Sequence, residues 1–533
     1  MSESKQSFLH GAALLAAATA IVKLLGAFYK IPLKAIIGDQ GYSYFVTAYD
    51  IYAVLLMIST AGLPIAMSRM ISQSDALGHT NQIRRVYKTS QTIFITLGVV
   101  SSLLMTLFCH QLAEFQHQPD AWAAIACLGP CALLMCMMSA FRGFFQGRGD
   151  MRPTSVSQVL EAIIKLVVGL AAAYVVVRAT GSVPLAAGAA ILGVTVSCIF
   201  SVGYLFSRFR GTFRELPASD DKPRSYKATA KGLLVIAIPI TIGSAGLQLL
   251  TVIETNLYMG RLLTANGLSQ ATADTMKGIY NMAQTIFNMP CAFMIPIATS
   301  VLPAITAHLT LDHNDAVRST EESAARIAGL VSLPCAVGLT AMARPLMALL
   351  GGYRGEKLEL ASVLMAMLGM SVFFYAIIQY TNAVLQAHNQ AHIPVINMLL
   401  CGACKLGIVY MLVGNPEIGI VGAPIGMAVC YMAIAILNLV AIRKAVPQKP
   451  ALVKNLIRPL IPSLLMGAGA YGTYRGFVYL MGGERHWLLL CIVPVLVAMA
   501  IYLAAAAVFK TITASDCRLL PHGDKIARFL RLK

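Results

Sequence analysis

Charged residues are scarce in this sequence. They make up 12% of its 533 residues, against about 25% in a soluble globular domain. That scarcity excludes a water-soluble fold. Acids are the scarcer sign, with 23 Asp and Glu against 41 Lys and Arg. Long polar segments are missing too. The polar stretch 208–231 is not exceeded by much anywhere, so there is no room for a soluble catalytic domain. A phosphate-cradling glycine loop, a zinc motif and a nucleophile elbow are all absent. The twelve cysteines fall mostly inside apolar runs. Cys401 and Cys404 have C-x-x-C spacing, but no second pair or nearby histidine completes a metal site, and they read as small core residues. No catalytic residue, metal or cofactor is therefore expected. A cleavable leader is not evident either: Ala18-Thr19-Ala20 resembles a cleavage site, but Lys23 and a continuing apolar run follow it.

What is present is apolar sequence. The chain is 57% hydrophobic with a mean hydropathy of +0.71, and runs of the ~20 residues needed to span a bilayer recur throughout. The expected fold is an all-α polytopic membrane protein with about fourteen transmembrane helices. The spans are read at 10–37, 42–68, 89–109, 121–146, 154–178, 185–207, 232–263, 278–307, 323–350, 359–387, 394–413, 421–442, 456–481 and 487–509. With the N-terminus inside, 28 of the 41 basic residues fall in inner segments and six in outer ones: Arg178, Arg261, Lys277, Arg354, Lys357 and Arg485. The bias predicts a multi-pass protein of a bacterial cell membrane with both termini cytoplasmic. It accounts for the net charge of +18 without a nucleic-acid partner, and it suits a bilayer with anionic lipids.

The chain reads as written twice. Gln146, Lys165 and Leu166 recur as Gln386, Lys405 and Leu406. Pro64-Ile65-Ala66-Met67-Ser68 recurs as Pro296-Ile297-Ala298-Thr299-Ser300, and Gly188 to Gly193 recurs from Gly422 to Gly426 with one deletion. Each copy holds six spans, an even number, so both enter the membrane from the same side. The repeats are parallel. The expected organisation is an N-lobe at 1–207, a cytoplasmic linker at 208–231 and a C-lobe at 232–442. Two further helices at 443–509 and a basic cytoplasmic tail at 510–533 follow.

Ionisable residues inside spans mark a functional pathway. Lys23, Lys30 and Lys34 stand at i, i+7 and i+11, so they share one helix face to within about 20°. A buried cation is costly, so this stripe should face water or an anion. Lys34 could instead snorkel to the outer headgroups. Asp50 lies at the depth of Lys30, and a structural bridge and a substrate contact are both open for it. Glu161 and Lys165 form an i, i+4 pair in the favourable order, which either neutralises itself or contacts substrate. Asn281, Gln284 and Asn288, at i, i+3 and i+7, make a polar stripe that lines a cavity or joins helices. Lys405 has no acid at i±3 or i±4, since the place of Glu161 is taken by Cys401. Glu254 has no base at those spacings. The two either meet, or Glu254 takes a cation or proton.

The stretch Val22-Lys23-Leu24-Leu25-Gly26-Ala27-Phe28-Tyr29-Lys30-Ile31-Pro32-Leu33, then Ile36-Ile37-Gly38, resembles the first helix of Gram-positive polysaccharide flippases of the stage V sporulation B type. Ser59-Thr60-Ala61-Gly62-Leu63-Pro64 and Ile393-Pro394-Val395-Ile396-Asn397 support the same resemblance. It covers nearly the whole chain and places it near the MurJ-type lipid II flippases of the MOP superfamily. The resemblance implies two lobes in a V-shaped, MATE-like arrangement plus two C-terminal helices, which would form a groove for a lipid tail. It implies transport of a polyprenyl-pyrophosphate-linked oligosaccharide, with lipid II the leading cargo, for peptidoglycan synthesis. The protein would be a monomer working by alternating access, coupled to the membrane potential, H+ or Na+. Rival readings are a flippase for another lipid-linked polysaccharide, a cation-coupled multidrug exporter and, last, a membrane glycosyltransferase using His110, Glu114, His117 and Asp120. Under the resemblance Lys23 and Lys30 face the cavity. The family's arginines of helices 2 and 8 are absent here, with Gln284 and Thr285 in the latter region. Glu254 and Asn397 match the sodium ligands of some members, Cys401 replaces the remaining acid, and Lys405 would serve as a tethered cation.

Overall fold

A computed structural model describes residues 3–311, 313–447, 450–484, 486–509 and 511. The tail expected at 510–533 therefore lies, Thr511 apart, outside the described residues. Among the described residues every regular element is helical. Eleven of the described helices are long and apolar enough to cross a membrane; the count of fourteen spans stays an expectation of the sequence.

The chain forms two compact units, Met1–Gly278 and Ile279–Lys533. The first holds α1 (Glu3–Thr60), α2 (Leu63–Ala76), α3 (Thr80–Leu107), α4 (Cys109–Phe115), α5 (Trp122–Gly147), α6 (Arg152–Thr180), α7 (Val183–Arg214), α8 (Tyr226–Thr264) and the first turns of α9 (Gln270–Thr310). The second holds the rest of α9 and α10 (Asn314–Ala341), α11 (Ala343–Leu349), α12 (Gly355–Ala387), α13 (His392–Val413), α14 (Gly422–Ala445), α15 (Leu452–Ile457), α16 (Leu460–Leu480) and α17 (Trp487–Val508).

The first two expected spans lie within α1 and α2. Gly38 interrupts α1 with φ 72° and ψ −176°, a conformation that favours glycine. The chain reverses there. The rings of Tyr29 and Phe45 stand 5.8 Å apart, whereas a straight helix would separate them by about 24 Å. A second break was not expected. The run read as one span to residue 68 is cut at Ala61–Gly62, and α2 starts afresh with proline in its first turn. The cause is tertiary: a Cβ on Gly62 would sit 2.1 Å from the Ala237 carbonyl oxygen of α8. So α8 packs on α1 and α2 in the first compact unit, although the sequence assigns that span to the second repeat. The α6–α7 contact uses small residues in the same way. A Cβ on Gly193 would come within 2.3 Å of Gly169 Cα, a close approach that helices in membranes exploit.

Part of the polar linker is strapped to α3. The first backbone amides of a helix lack internal partners, and α3 has no side-chain cap of its own. The Asp221 carboxylate supplies one, accepting from the amides of Asn81 and Gln82 at 2.9 Å each. Asn81 Nδ2 in turn donates to the Ser219 carbonyl at 2.7 Å.

In the second unit α10, α12 and α14 enclose a core containing Tyr380, Val384, Leu385 and Ile442. It also buries a charge: Glu321 is fully enclosed, His388 Nε2 lies 2.8 Å from its carboxylate, and the Tyr380 hydroxyl donates to its carbonyl. α16 packs on α10 and α17. The loop between α16 and α17 is fixed by Glu484, which accepts two hydrogen bonds from Arg344 at 2.9 and 3.2 Å and one from Tyr474 at 2.6 Å.

Candidate functional site

The reversal at Gly38 carries Lys30 back against the second arm of α1, and α6 packs alongside. Lys30 lies within electrostatic range of Asp50 and of Lys165 on α6. The Lys165 ammonium stands 5.7 Å over the Tyr29 ring, a cation–π distance, and the Tyr29 hydroxyl is anchored to the Ala190 carbonyl at 3.1 Å. Lys30, Asp50 and Lys165 are all half-buried. Lys30 is thus flanked by the Lys165 ammonium and the Asp50 carboxylate, and Asp50 in turn lies within range of Lys277 and of Glu254, so three ammonium groups meet two carboxylates here. Like charges this close repel unless an anion joins them. The cluster has the chemistry of an anion cradle. The side chain of Lys23 lies outside the described residues.

Two sequence expectations change here. Glu161 does not pair with Lys165. It accepts from Arg142 of α5 at 3.2 Å, and Arg142 Nε donates to Ser157 at 3.0 Å. A planar guanidinium reaching across from a neighbouring helix satisfies two α6 groups at once. The helix-local pairing is displaced, and Lys165 is available to the Lys30 cluster. Lys34, expected in the cavity or at the headgroups, is buried and joined to Asp39 at 3.1 Å, just past the reversal.

A third correction concerns Lys277, which was read as an outer-loop residue. It is fully buried, in the second turn of a helix that begins eight residues earlier than expected. Lys277 Nζ donates to Thr47 Oγ1 and, at 2.8 Å, to Gln118 Oε1. Asp274, 1% exposed, accepts from Gln118 Nε2 at 2.7 Å, Tyr44 Oη at 3.0 Å and Gln270 Nε2 at 3.0 Å. Asp50 feels the Lys277 charge, so this network adjoins the cradle. A Cβ on Gly278 would lie 2.0 Å from the Asp39 carbonyl oxygen, so the start of α9 is seated directly on the reversal. The sequence did carry a signal. Gln270, Asp274 and Lys277 continue the stripe of Asn281, Gln284 and Asn288 backward in steps of four and three.

Along that stripe in the second unit, Asn281 is buried, Gln284 half-buried and Asn288 exposed. Asn397 donates to Asn438 Oδ1 at 2.9 Å, and Asn438 to Thr381 and Asn382 at 3.1 and 3.0 Å. This amide network escaped the sequence reading because it joins three helices, and Asn438, which links them, stands alone in its span. Asn397 also lines a cavity of about 460 Å³ whose charged wall is Lys444. Glu254 is buried in the first unit, while Lys405 is half-buried in the second. Their pairing stays an expectation of the sequence.

Of the four polar residues considered for catalysis, Glu114 is exposed and the other three make structural contacts. His110 stacks on Trp122 with ring centroids 5.0 Å apart, the His117 carbonyl accepts from Gln270 at 2.7 Å, and Asp120 accepts from Tyr44 at 3.4 Å. Among the described residues no group of three His, Cys, Asp or Glu side chains is placed to hold a metal.

The family described as "Polysaccharide biosynthesis protein" matches residues 8–308, more than half of the chain, and the MatE family matches residues 273–411. Stage V sporulation protein B of Bacillus subtilis (strain 168) is 24% identical over 449 residues, which cover 83% of this chain and 85% of that protein. The fold is similar to that of the lipid II flippase MurJ in an inward closed conformation. The TM-score is 0.67 at 13% identity, over 93% of this chain and 98% of that one. It is also similar to an inward-facing multidrug resistance MATE family transporter of the MOP superfamily, with TM-score 0.65 at 17% identity over 80% and 97% of the two chains. These structures are of transporters, not enzymes. An all-α polytopic membrane fold of this kind, together with a family match over most of its first 308 residues, places the chain in the polysaccharide biosynthesis protein family.

Proposed function

We propose that this protein is a flippase that moves a polyprenyl-pyrophosphate-linked wall precursor, lipid II, from the inner to the outer leaflet by alternating access. The observation that carries the reading is the convergence of Lys30 and Lys165 beside Asp50 in the interior of the first unit. A pyrophosphate is the anion such a cradle fits. Ammonium groups hold it as mobile point charges, which suits a cargo that must be released. Asp50 competes with the cargo for Lys30 and restores the empty site once the cargo leaves. An inside-negative potential favours outward movement of the anion by about 2.3 kcal/mol per charge per 100 mV. The membrane potential could therefore supply the driving force; H+ and Na+ are the other candidates. The test is purified protein in vesicles loaded with lipid II, followed by the fraction reached by an impermeant reagent. Wild type should expose lipid II, and a Lys30→Ala/Lys165→Ala double variant should expose it at the rate of empty vesicles. Equal exposure by both would overturn the reading.

A second cargo, another lipid-linked polysaccharide, is favoured by the family match over residues 8–308. Replacing lipid II with an undecaprenyl-pyrophosphate glycan in the same assay separates the two.

A further inference from the structure

The inner end of the second unit carries a pocket that the transport reading does not use. α14 ends with Arg443 and Lys444 in its last turn, and α15 begins at Leu452. Between the last turn of one and the first turn of the other lies a cleft of about 330 Å³, within the range of about 300–1,000 Å³ typical of small-molecule sites. Its floor is apolar, formed by the buried Ile442 and Leu452, and Arg443 and Lys454 are its charged wall residues. Both cations are exposed. Among the described residues no carboxylate forms an ion pair with either.

The cleft is fastened. The Ala451 amide at its lip donates to Glu322 Oε1 at 3.0 Å, and Glu322 is paired with Arg318 at 3.0 Å. The nearby acid is thus already satisfied. Val453 on its wall and Ile457, one turn further along α15, expose about half of their surfaces, at 55% and 46%. An apolar strip beside a cationic cleft has the chemistry of a phosphate with an acyl chain attached.

We propose that this cleft binds the head group of an anionic phospholipid, with Arg443 and Lys454 holding its phosphate and Val453 and Ile457 flanking its chains. The excess of Lys and Arg in segments on the same side as residues 443–458 assigns the lipid to the inner leaflet, whose surface carries the anionic charge. A basic residue scattered along the bilayer surface attracts anions diffusely. Here two line one concavity.

The experiment is native mass spectrometry of the purified full-length chain in detergent, titrated with phosphatidylglycerol or phosphatidylcholine. It reads binding directly, independently of transport and of topology. Two basic side chains near a lipid phosphate correspond to about a 30-fold change in affinity. Arg443→Gln/Lys454→Gln should therefore lose phosphatidylglycerol by about 30-fold and leave phosphatidylcholine unchanged. Arg443→Lys/Lys454→Arg should retain it, which separates lost charge from lost folding. Arg208→Gln/Arg210→Gln, a pair elsewhere in the inner-side segments, should bind as wild type. Millimolar glycerol phosphate should fail to displace the lipid. The proposal is overturned if the Gln pair binds as wild type or the charge-retaining pair also loses binding. It is equally overturned if the Arg208/Arg210 pair loses as much, or if soluble phosphate competes fully.

Discussion

At the scale of single residues the account rests on which lysines are committed to acids within the first unit. Lys34 is tied to Asp39 and Lys277 is enclosed by Thr47 and Gln118. Lys30 and Lys165 are the described pair with a shared field and half-open surroundings. Replacing either by alanine should slow transport by about 10- to 100-fold, the equivalent of one hydrogen bond to a charged group. Initial rates in lipid II vesicles at equal protein density check this; unchanged rates for both would remove the cradle. Lys277 behaves differently. Its loss removes the cation that faces Asp50 and Asp274 and leaves the Thr47 and Gln118 oxygens without their donor, so Lys277→Met should destabilise the fold by about 1–3 kcal/mol. The expected readout is a lower melting temperature in detergent, and Asp274→Asn in the same background should recover part of it. The depth match of Lys30 with Asp50 was legible from spacing alone; the stripe was not, because Lys34 turns to Asp39 just past the reversal and the side chain of Lys23 lies outside the described residues. The partner of Glu161 was not, because a tertiary guanidinium outcompetes an i+4 neighbour and sequence spacing records only the neighbour.

At the scale of elements, glycines and the linker decide the layout. The Gly38 reversal could be read from the sequence, since glycine and proline cluster there. The break at Gly62 could not, because it is imposed by α8, far away in sequence. Gly278 has the same status. Gly278→Leu should push the start of α9 off the Asp39 carbonyl. Hydrogen exchange should speed up over residues 270–277 while α5 stays protected; unchanged exchange would contradict the close approach. The linker strap has a pH signature. Burial pushes the Asp221 carboxyl up slightly, but hydrogen bonds from Ser219 and from the Asn81 and Gln82 amides outweigh it and hold it below the usual carboxylate range. A depressed folded value means the strap's stabilisation is fully present above the unfolded value, about 3.9, and is lost as pH falls through the folded value. Acid-stable protease should therefore cut the 216–225 segment faster below pH of about 4. Asp221→Asn should be cut readily at neutral pH as well.

At the scale of the whole molecule, hydrophobic runs specified an all-helical membrane protein. The repeat in the sequence and the compact units in space do not divide at the same place. The repeat changes over in the linker, the compact units inside α9. Sequence similarity records how a chain was duplicated, while packing records which helices bury one another, and α8 packs on α1 and α2 whatever its ancestry. The start of α9 hid for a related reason. Polar residues before an apolar run read as a loop, and here they form a buried network. The sequence counts Arg443 and Lys454 among the charges expected on the inner side but does not show that both line one cleft, since the turn that brings them together leaves no periodic trace. The central claim is that this chain carries a lipid-linked wall precursor outward. Its most direct test is depletion of the protein in cells lacking other lipid II flippases, with quantification of lipid II reached from outside intact cells. Lipid II should accumulate inside and its externally accessible fraction should fall towards zero, with recovery on re-expression of wild type but not of Lys30→Ala/Lys165→Ala. An unchanged accessible fraction after depletion would contradict the account.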